Sequence, residues 1–422
     1  MNDLRLAVIG AGSTYTPELV DGVIRRFDDL PVRTLALMDI NEDRLRIVGG
    51  FARRMVEASG KPVRVVLTSD RSAAISGADF VITQMRVGGM RARILDEKIP
   101  LELGVIGQET TGPGGFANAL RTIPVVVDLC HEVNELAPDA WVINFANPSG
   151  LVTQAALKHG RENVIGLCNG PIGITRRIAS ILGCEPDQLI LDYFGLNHLN
   201  WIRRVGLDGE DRTDDAIEGL VKDADSRDAA IVRDLHLIPC AYMKYYYRRD
   251  SVLEELKSAD KTRGETVAEI ETDLLAMYAD KSLSEKPKML EKRGGAFYSE
   301  AALSLISDIY SNRGLTHIVS VRNNGSIEGL ADDAVVEVPC TVDRCGATPH
   351  KVGKAPSSVS GLLGAVKSYE ELAAEAAITG DRRTALLALL AHPLVPSHEV
   401  AELLLARILD AHAEYLPQFG GL

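Results

Sequence analysis

The sequence predicts an α/β protein, with an N-terminal Rossmann-like, doubly wound parallel sheet and a closely packed C-terminal α+β domain. Three observations lead there. Short apolar runs alternate with helical patterns from residue 4 to about residue 171. The first run ends on Gly10-Ala11-Gly12 and passes directly into a helical pattern. Beyond about residue 200 the alternation loosens, yet no Pro/Gly/Ser-rich linker divides the chain there. The two domains, placed at 1–165 and 166–422, are therefore expected to share a large interface.

Residues 4–9, LRLAVI, read as a buried first strand. Leu19, Val20, Val23 and Ile24 form one apolar stripe of a helix over 17–27. A second strand at 33–39 ends on Asp39, and a helix fits 42–58. Strands at 63–70 and 78–84 follow, with a short helix near 72–76 between them. A helical segment at 117–137 precedes strands at 140–148 and 163–171. Residues 207–228 are acidic and polar and read as a surface insertion. Helices are expected at 265–280 and 298–310 and strands at 317–322 and 334–342. Residues 346–361 are a Gly/Pro/Ser-rich excursion, and 362–413 form an Ala/Leu-rich helical end suited to core or to a subunit interface.

A chain of 422 residues suits two closely packed domains, and 46% hydrophobic with 25% charged residues is the mix of a soluble globular enzyme. A net charge of -13 argues against a nucleic-acid partner, because phosphate backbones need a basic face. The start, MNDLRLAVIG, lacks the basic segment of a signal peptide, and no run of about eighteen apolar residues is present. Six scattered cysteines suit free thiols in a reduced, cytoplasmic protein.

Gly10-Ala11-Gly12-Ser13-Thr14 sits between a strand and a helix. The first glycine permits a tight turn, and the second lets the backbone approach a pyrophosphate facing the helix N-terminus. Tyr15 stands where a third glycine is usual. Asp39, ending the next strand, would accept hydrogen bonds from ribose hydroxyls and repel a 2′-phosphate, which favours NAD over NADP; Arg44 nearby pulls the other way. Either way the pattern points to a nicotinamide dinucleotide.

Four later segments resist explanation as packing. Arg86-Val87-Gly88-Gly89-Met90-Arg91-Ala92-Arg93 follows a buried strand, where arginines suit a phosphate or carboxylate, or form a solvated loop. Gly107 to Gly115 is a glycine-dense stretch containing Glu109. Asn144-Phe145-Ala146-Asn147-Pro148 is another strand end. Cys168-Asn169-Gly170-Pro171 and Gly195-Leu196-Asn197-His198 place a thiol and an imidazole at two strand ends, either as divalent-metal ligands or as a buried thiol and a core histidine. Two such ligands do not close a structural site and leave positions for substrate oxygens. In PCAYMKYYY, at 239–247, a tyrosine beside a cation would act as a base, although tyrosine clusters more often pack.

Taken in order, GAGSTYTPEL, RVGGMRARILDEKIP, GQETTGPGG, FANPSG, CNGP, GLNH, PCAYMKYYY and KRGGAFYS resemble glycoside hydrolase family 4, and within it the 6-phospho-β-glucosidases. The resemblance spans most of the chain. It implies NAD and a divalent metal, usually Mn2+, as cofactors. It implies Cys168 and His198 as metal ligands and Tyr242 as catalytic base. Glu109 matches an acid that raises the strength of that base. Arg93, Asn147, Asn169 and Arg293 match substrate-binding positions, the arginines suiting a 6-phosphate. Asn169 also matches the position of the proton donor, an Asp in the phospho-α members, so the leaving-group acid is left unassigned. The implied reaction is hydrolysis of a 6-phospho-β-glucoside, such as cellobiose 6-phosphate, to glucose 6-phosphate and an alcohol or sugar. It proceeds by C3 oxidation, C2 deprotonation, β-elimination, water addition and re-reduction, without the paired carboxylates of most glycosidases. A homo-dimer or homo-tetramer is expected, with no membrane partner.

Other readings stand beside it: a phospho-α or non-phosphorylated glycosidase of the same family, a 2-hydroxy-acid dehydrogenase of the lactate/malate kind, which has a related fold, and a non-catalytic NAD sensor. A dehydrogenase would accumulate NADH, whereas a hydrolase that recycles its cofactor would not.

Overall fold

A computed structural model describes residues 4–222, 224–294 and 297–420. The apolar runs that alternate with helices fold as β1 (Leu4–Ile9), α1 (Thr16–Arg25), β2 (Val32–Met38), α2 (Glu42–Ser59), β3 (Arg64–Thr68), α3 (Arg71–Ile75) and β4 (Phe80–Thr83). Then come α4 (Gly89–Glu102), α5 (Gly112–Leu136), β5 (Trp141–Asn144), α6 (Ser149–Ala155), β6 (Val164–Gly166) and α7 (Gly170–Leu182). The six strands lie in the order β3-β2-β1-β4-β5-β6, every neighbouring pair parallel. This is the doubly wound arrangement, whose order reverses beside β1. Leu6 sits opposite Leu35 on one side and Phe80 on the other, so the chain leaving β1 emerges in the crevice at that reversal.

Strand ends and helix caps follow from local chemistry. The Asn41 side chain accepts from the Arg44 amide at 2.9 Å and starts α2, and Gly60 ends it in the left-handed region. The strands carry Leu6, Val8, Leu35, Leu37, Val81 and Ile143, all fully buried, and burying each such side chain contributes about 1.5–3 kcal/mol.

After α7, β7 (Leu189–Leu196) and β8 (Leu199–Leu207) form an antiparallel hairpin whose turn carries Asn197 and His198. The polar stretch at 207–228 is not a bare insertion. It includes α8 (Thr213–Lys222), which buries Ala216, Ile217, Leu220 and Val221 against the hairpin, and the start of α9 (Ser226–Leu235). Its apolar stripe is short and surrounded by acids, which hid it. A two-residue strand, β9 (Ile238–Pro239), pairs with β8. The helices α10 (Arg249–Ser258), α11 (Arg263–Ala279) and α12 (Tyr298–Ser311) follow.

The parallel sheet does not end at β6. The strands β10 (Leu315–Arg322), β11 (Val335–Asp343) and β12 (Gly346–Pro349) continue it antiparallel, through the pair Ser320–Gly166, to nine strands. The strands β10 and β11 were legible as apolar runs, but not the pairing of β10 with β6, some 150 residues earlier in the chain, and β12 lies in the stretch read as a Gly/Pro/Ser-rich excursion. The chain closes with α13 (Ser357–Thr379), α14 (Arg382–Ala391) and α15 (His398–Ala411), separated at Gly380-Asp381 and at Pro393 to Pro396.

Several helices escaped the sequence reading, α6, α7 and α10 among them, and α4 shows the physical reason. Residues 89–102 form α4, yet its buried positions include Arg93, Asp96 and Glu97. Charges on the inner face erase the apolar stripe by which a helix is recognised. The helix 112–136 also begins five residues before the expected 117, since Gly112-Pro113-Gly114-Gly115 reads as loop. There Cβ atoms on Gly114 and Gly115 would lie 2.3 and 2.6 Å from backbone carbonyl oxygens.

Candidate functional site

The C-terminal edge of the parallel strands opens into a cavity of about 1060 Å³. Its lining includes Gly10, Gly12, Ser13, Asp39, Arg44, Arg93, Glu109, Asn147, Cys168, Asn169, His198, Tyr242 and Arg293. Residues singled out across nearly 300 positions therefore meet at one place. Thr14 does not line it. Its side chain is buried and its hydroxyl lies 3.2 Å from Glu271 Oε1. Residues 295 and 296 of KRGGAFYS lie outside the described residues.

The glycine loop leaves β1 with Gly10 at φ +91°, where a Cβ would fall 2.6 Å from Met85 Cα. Only glycine tolerates both constraints. The Gly12 amide donates to Asp39 Oδ2 at 2.7 Å, and the Asn41 amide donates to Oδ1 at 2.8 Å. A carboxylate has about four acceptor positions, so Asp39 keeps capacity for a diol. Arg44 Nε donates to the Gly12 carbonyl at 2.9 Å, and its Nη2 pairs with Glu271 at 3.1 Å. The cradle fits a pyrophosphate: a bare backbone ahead of the first turn of α1, and an acid on the next strand.

Glu271 was missed from sequence. It lies on α11, takes Arg44, Arg293 and the Thr14 hydroxyl, and ties the glycine loop to the C-terminal half. Burial raises its carboxyl, but Arg293 and Arg44 prevail and hold it below the usual carboxylate range. A signal existed. The buried face of α11 is Gly264, Val267, Glu271, Leu274 and Tyr278, so an acid occupies the middle of an apolar stripe.

Across the cavity, Glu109 sits between two guanidiniums: Oε2 is 2.6 Å from Arg86 Nη1 and Oε1 is 3.1 Å from Arg93 Nη2. Burial pushes its carboxyl up, but Arg86 and Arg93 outweigh burial and keep it below the usual range, hence ionised. Arg93 also donates to Glu97 at 3.0 Å, and Arg293 pairs with Glu271 at 2.8 Å. Both arginines matched to a phosphate thus already hold carboxylates. By contrast, Lys244 and Arg263, on the same cavity wall, pair with no carboxylate among the described residues; Arg263 bonds the carbonyls of Lys292 and Arg293.

Cys168 follows β6 by two residues, and His198 sits in the β7–β8 turn at φ +65°. Cys168 Sγ and His198 Nε2 are 3.5 Å apart, close enough for both to hold one ion. The Gly170 amide donates to the sulfur at 3.4 Å. Burial pushes the Cys168 thiol up to about 12 and the His198 imidazole down to about 4, so the imidazole is neutral, as a ligand must be, while the thiol carries a proton that a bound metal would displace. Among the described residues no group of three or more His, Cys, Asp or Glu could hold a metal. The pair fits an open site completed by substrate oxygens, a thiolate and an imidazole being common donors to first-row metals.

Tyr242 stacks on His198, with ring centroids 3.8 Å apart and planes 11° from parallel. Burial raises its phenol well above the usual value, with Cys168 and Glu109 adding to the rise. Asn147 and Asn169 complete this wall, Asn169 Oδ1 lying 3.8 Å from the Cys168 sulfur. Tyr298, also missed from sequence, lines the same wall and donates to the Phe145 carbonyl at 3.0 Å.

Comparison with known proteins agrees with this assembly. The family described as family 4 glycosyl hydrolase matches residues 5–184, and its C-terminal domain matches residues 193–395. A probable 6-phospho-beta-glucosidase of Bacillus subtilis (strain 168) is 46% identical over 435 residues, covering 99% of this chain and 98% of the relative. The 6-phospho-beta glucosidase of Thermotoga maritima, solved with manganese, NAD+ and glucose-6-phosphate, superposes with a TM-score of 0.92 at 39% identity over 98% of this chain and 99% of its own. The malate dehydrogenase of Cryptosporidium parvum shares the fold alone, with a TM-score of 0.56 at 12% identity over 89% of this chain and 99% of its own. With both halves matched along nearly their whole length, the chain belongs to glycoside hydrolase family 4.

Proposed function

We propose that this chain is a 6-phospho-β-glucosidase, hydrolysing 6-phospho-β-glucosides such as cellobiose 6-phosphate to glucose 6-phosphate and an alcohol or sugar. NAD and a divalent metal, Mn2+ on this reading, are its cofactors. The observation that carries the reading is that Cys168, His198 and Tyr242 meet in the cavity that begins at the glycine loop. A paired-carboxylate glycosidase would need two free acids there, but Glu109 and Glu271 are each held by two arginines.

When bound, the dinucleotide supplies a reversible hydride acceptor for a sugar carbinol, and the metal supplies Lewis acidity at the sugar oxygens. Gly10, Gly12 and Ser13 would hold the pyrophosphate, Thr14 and Arg44 would brace the loop, and Asp39 would take the ribose. Cys168 and His198 would hold the metal. Tyr242 Oη is assigned to take the proton at sugar C2 and later to return it. Glu109 places a fixed negative charge near that phenol, and a negative neighbour strengthens a phenolate as a base. Asn147 and Asn169 are assigned to sugar hydroxyls. Arg93 and Arg293 are assigned to the substrate, with Lys244 and Arg263 as the cations open to its phosphate.

Residues 1–165 would then carry the dinucleotide and 166–422 the metal and the base. On the same reading the protein works in the cytoplasm as a homo-dimer or homo-tetramer. Among the described residues no helix is long and apolar enough to cross a membrane. Leu387, Leu390 and Leu403 stand exposed on α14 and α15, which supports an interface there.

The test is release of 4-nitrophenol from its 6-phospho-β-glucoside with NAD+, Mn2+ and a thiol present. Release without net NADH is the expected result. A folded protein that releases none, or that accumulates NADH, overturns the reading.

A further inference from the structure

His198 borders two cavities. Besides the large one, it lines a small cavity of about 20 Å³ together with Tyr246, Val366, Tyr369, Glu370 and His392. The imidazole Nε2 faces Cys168, while Nδ1 is buried with no hydrogen-bond partner. The Tyr369 hydroxyl is equally buried and unpartnered. Glu370 Oε2 makes no aligned hydrogen bond, its 2.5 Å contact with Lys367 Nζ being an ion pair only. His198 is 9% exposed, and Tyr369 and Glu370 are each 3% exposed, so bulk water does not reach these atoms.

An orphaned buried polar atom loses the hydrogen bonds that water gave it in the unfolded chain and so destabilises the fold. Two such atoms, His198 Nδ1 and the Tyr369 hydroxyl, on residues lining one small cavity beside the Glu370 carboxylate call for a common partner. A buried water needs about 10–15 Å³ and two to four polar neighbours, and this cavity provides both. His392 cannot serve instead, because its Nδ1 accepts the Leu394 amide at 3.1 Å and its Nε2 faces the Tyr246 hydroxyl at 3.5 Å.

We propose that this cavity is a binding site for one ordered water, which accepts a hydrogen bond from His198 Nδ1–H and is held by Tyr369 and Glu370. The water donates to Glu370 Oε2 and shares a hydrogen bond with the Tyr369 hydroxyl. With its proton kept on Nδ1, the imidazole presents the Nε2 lone pair towards Cys168, the tautomer a metal ligand requires. Tyr369 and Glu370, on α13, are thus positioning residues for the centre, acting through the water and His198. This rests on the assignment of Cys168 and His198 as metal ligands.

Crystals of the full chain diffracting well enough to show ordered water test the site directly. The expected result is a water peak within about 3.2 Å of His198 Nδ1. Two folded variants test its role, Tyr369→Phe removing one partner and Val366→Leu filling the space. Both are expected to weaken Mn2+ binding, read by electron paramagnetic resonance of the free ion, about 10-fold, and to leave NAD+ affinity unchanged. Absence of the peak in the parent protein, or parental Mn2+ affinity in Tyr369→Phe, overturns the proposal. A parent protein that binds no Mn2+ at all refutes the ligand assignment instead, while the diffraction result still decides the water.

Discussion

Replacing Glu109 by Gln keeps the shape of the side chain and removes its charge from between Arg86 and Arg93. The two contacts, at 2.6 and 3.1 Å, join side chains only 16, 23 and 9% exposed. Both contacts are ion pairs largely shielded from solvent, so screening by water weakens them less than it would at the surface. Arg93 retains Glu97 at 3.0 Å, so its loss is partly absorbed. Arg86 has no other carboxylate within ion-pair distance among the described residues, so only the more distant Asp96 and Glu271 remain to offset its charge. Breaking one partner of a buried pair costs about 3–5 kcal/mol, and the lower end applies where Arg86 is partly exposed, giving about 3 kcal/mol. The assay is urea unfolding followed by the fluorescence of Trp141 and Trp201, for the parent, Glu109→Gln, Arg86→Met and the double variant. The double variant should be less destabilised than the sum of the singles by about 1–3 kcal/mol. The turnover number of Glu109→Gln should also fall, because Tyr242 loses the charge assigned to strengthen it. A single variant within about 1 kcal/mol of the parent, with no coupling in the cycle, would refute the reasoning.

Three further expectations are independent of that one. Tyr242→Phe should lower the turnover number by about 10²-fold or more, with Mn2+ and NAD+ affinities within about threefold of the parent, since only the proton acceptor is lost; isotope exchange at sugar C2 in deuterated water, read by NMR, should disappear, and a parental rate would remove Tyr242 from the mechanism. Gly10→Ala should weaken NAD+ binding about 10-fold or more and cost at least about 1–3 kcal/mol, because φ is +91° and the new Cβ would lie 2.6 Å from Met85 Cα; titration calorimetry with parental affinity would refute it. Burial holds the His392 imidazole down to about 3, below its unfolded value of about 6.5. Its folded pKa being depressed, its contribution to stability is complete above pH of about 6.5 and is lost as pH falls, by about 1.4 kcal/mol per unit. The parent should therefore lose about 2 kcal/mol between pH 6.5 and 5 that His392→Gln does not lose; parallel stability profiles for the two proteins would show the residue to be protonated in the fold.

Local pattern carried much of this protein. The run LRLAVI, the glycines at 10 and 12 and the acid at 39 each act through backbone conformation or one neighbouring strand, so short-range sequence determines them. The strand ends bearing Asn147 and Cys168 were legible for the same reason, and the order of parallel strands delivers both to one edge, whereas His198 reaches it from the turn of the separate β7–β8 hairpin. What only tertiary structure decided involves charges whose partners are far away in sequence. Helix α4 was hidden because Arg93, Asp96 and Glu97 face inward, and an inward charge is stable only beside a partner that periodicity does not reveal. Glu271 meets Arg44 from 227 residues away, and Arg86 meets Glu109 across a turn and a helix. The two arginines matched to a phosphate proved to be already paired, and the unpartnered nitrogen of His198 acquired a cavity formed in part by α13. Apolar burial leaves a trace at every third or fourth residue, whereas an ion pair or a shared cavity depends on coordinates alone. The residues of the site could thus be named from sequence, but their pairings and the space behind them came only with the fold.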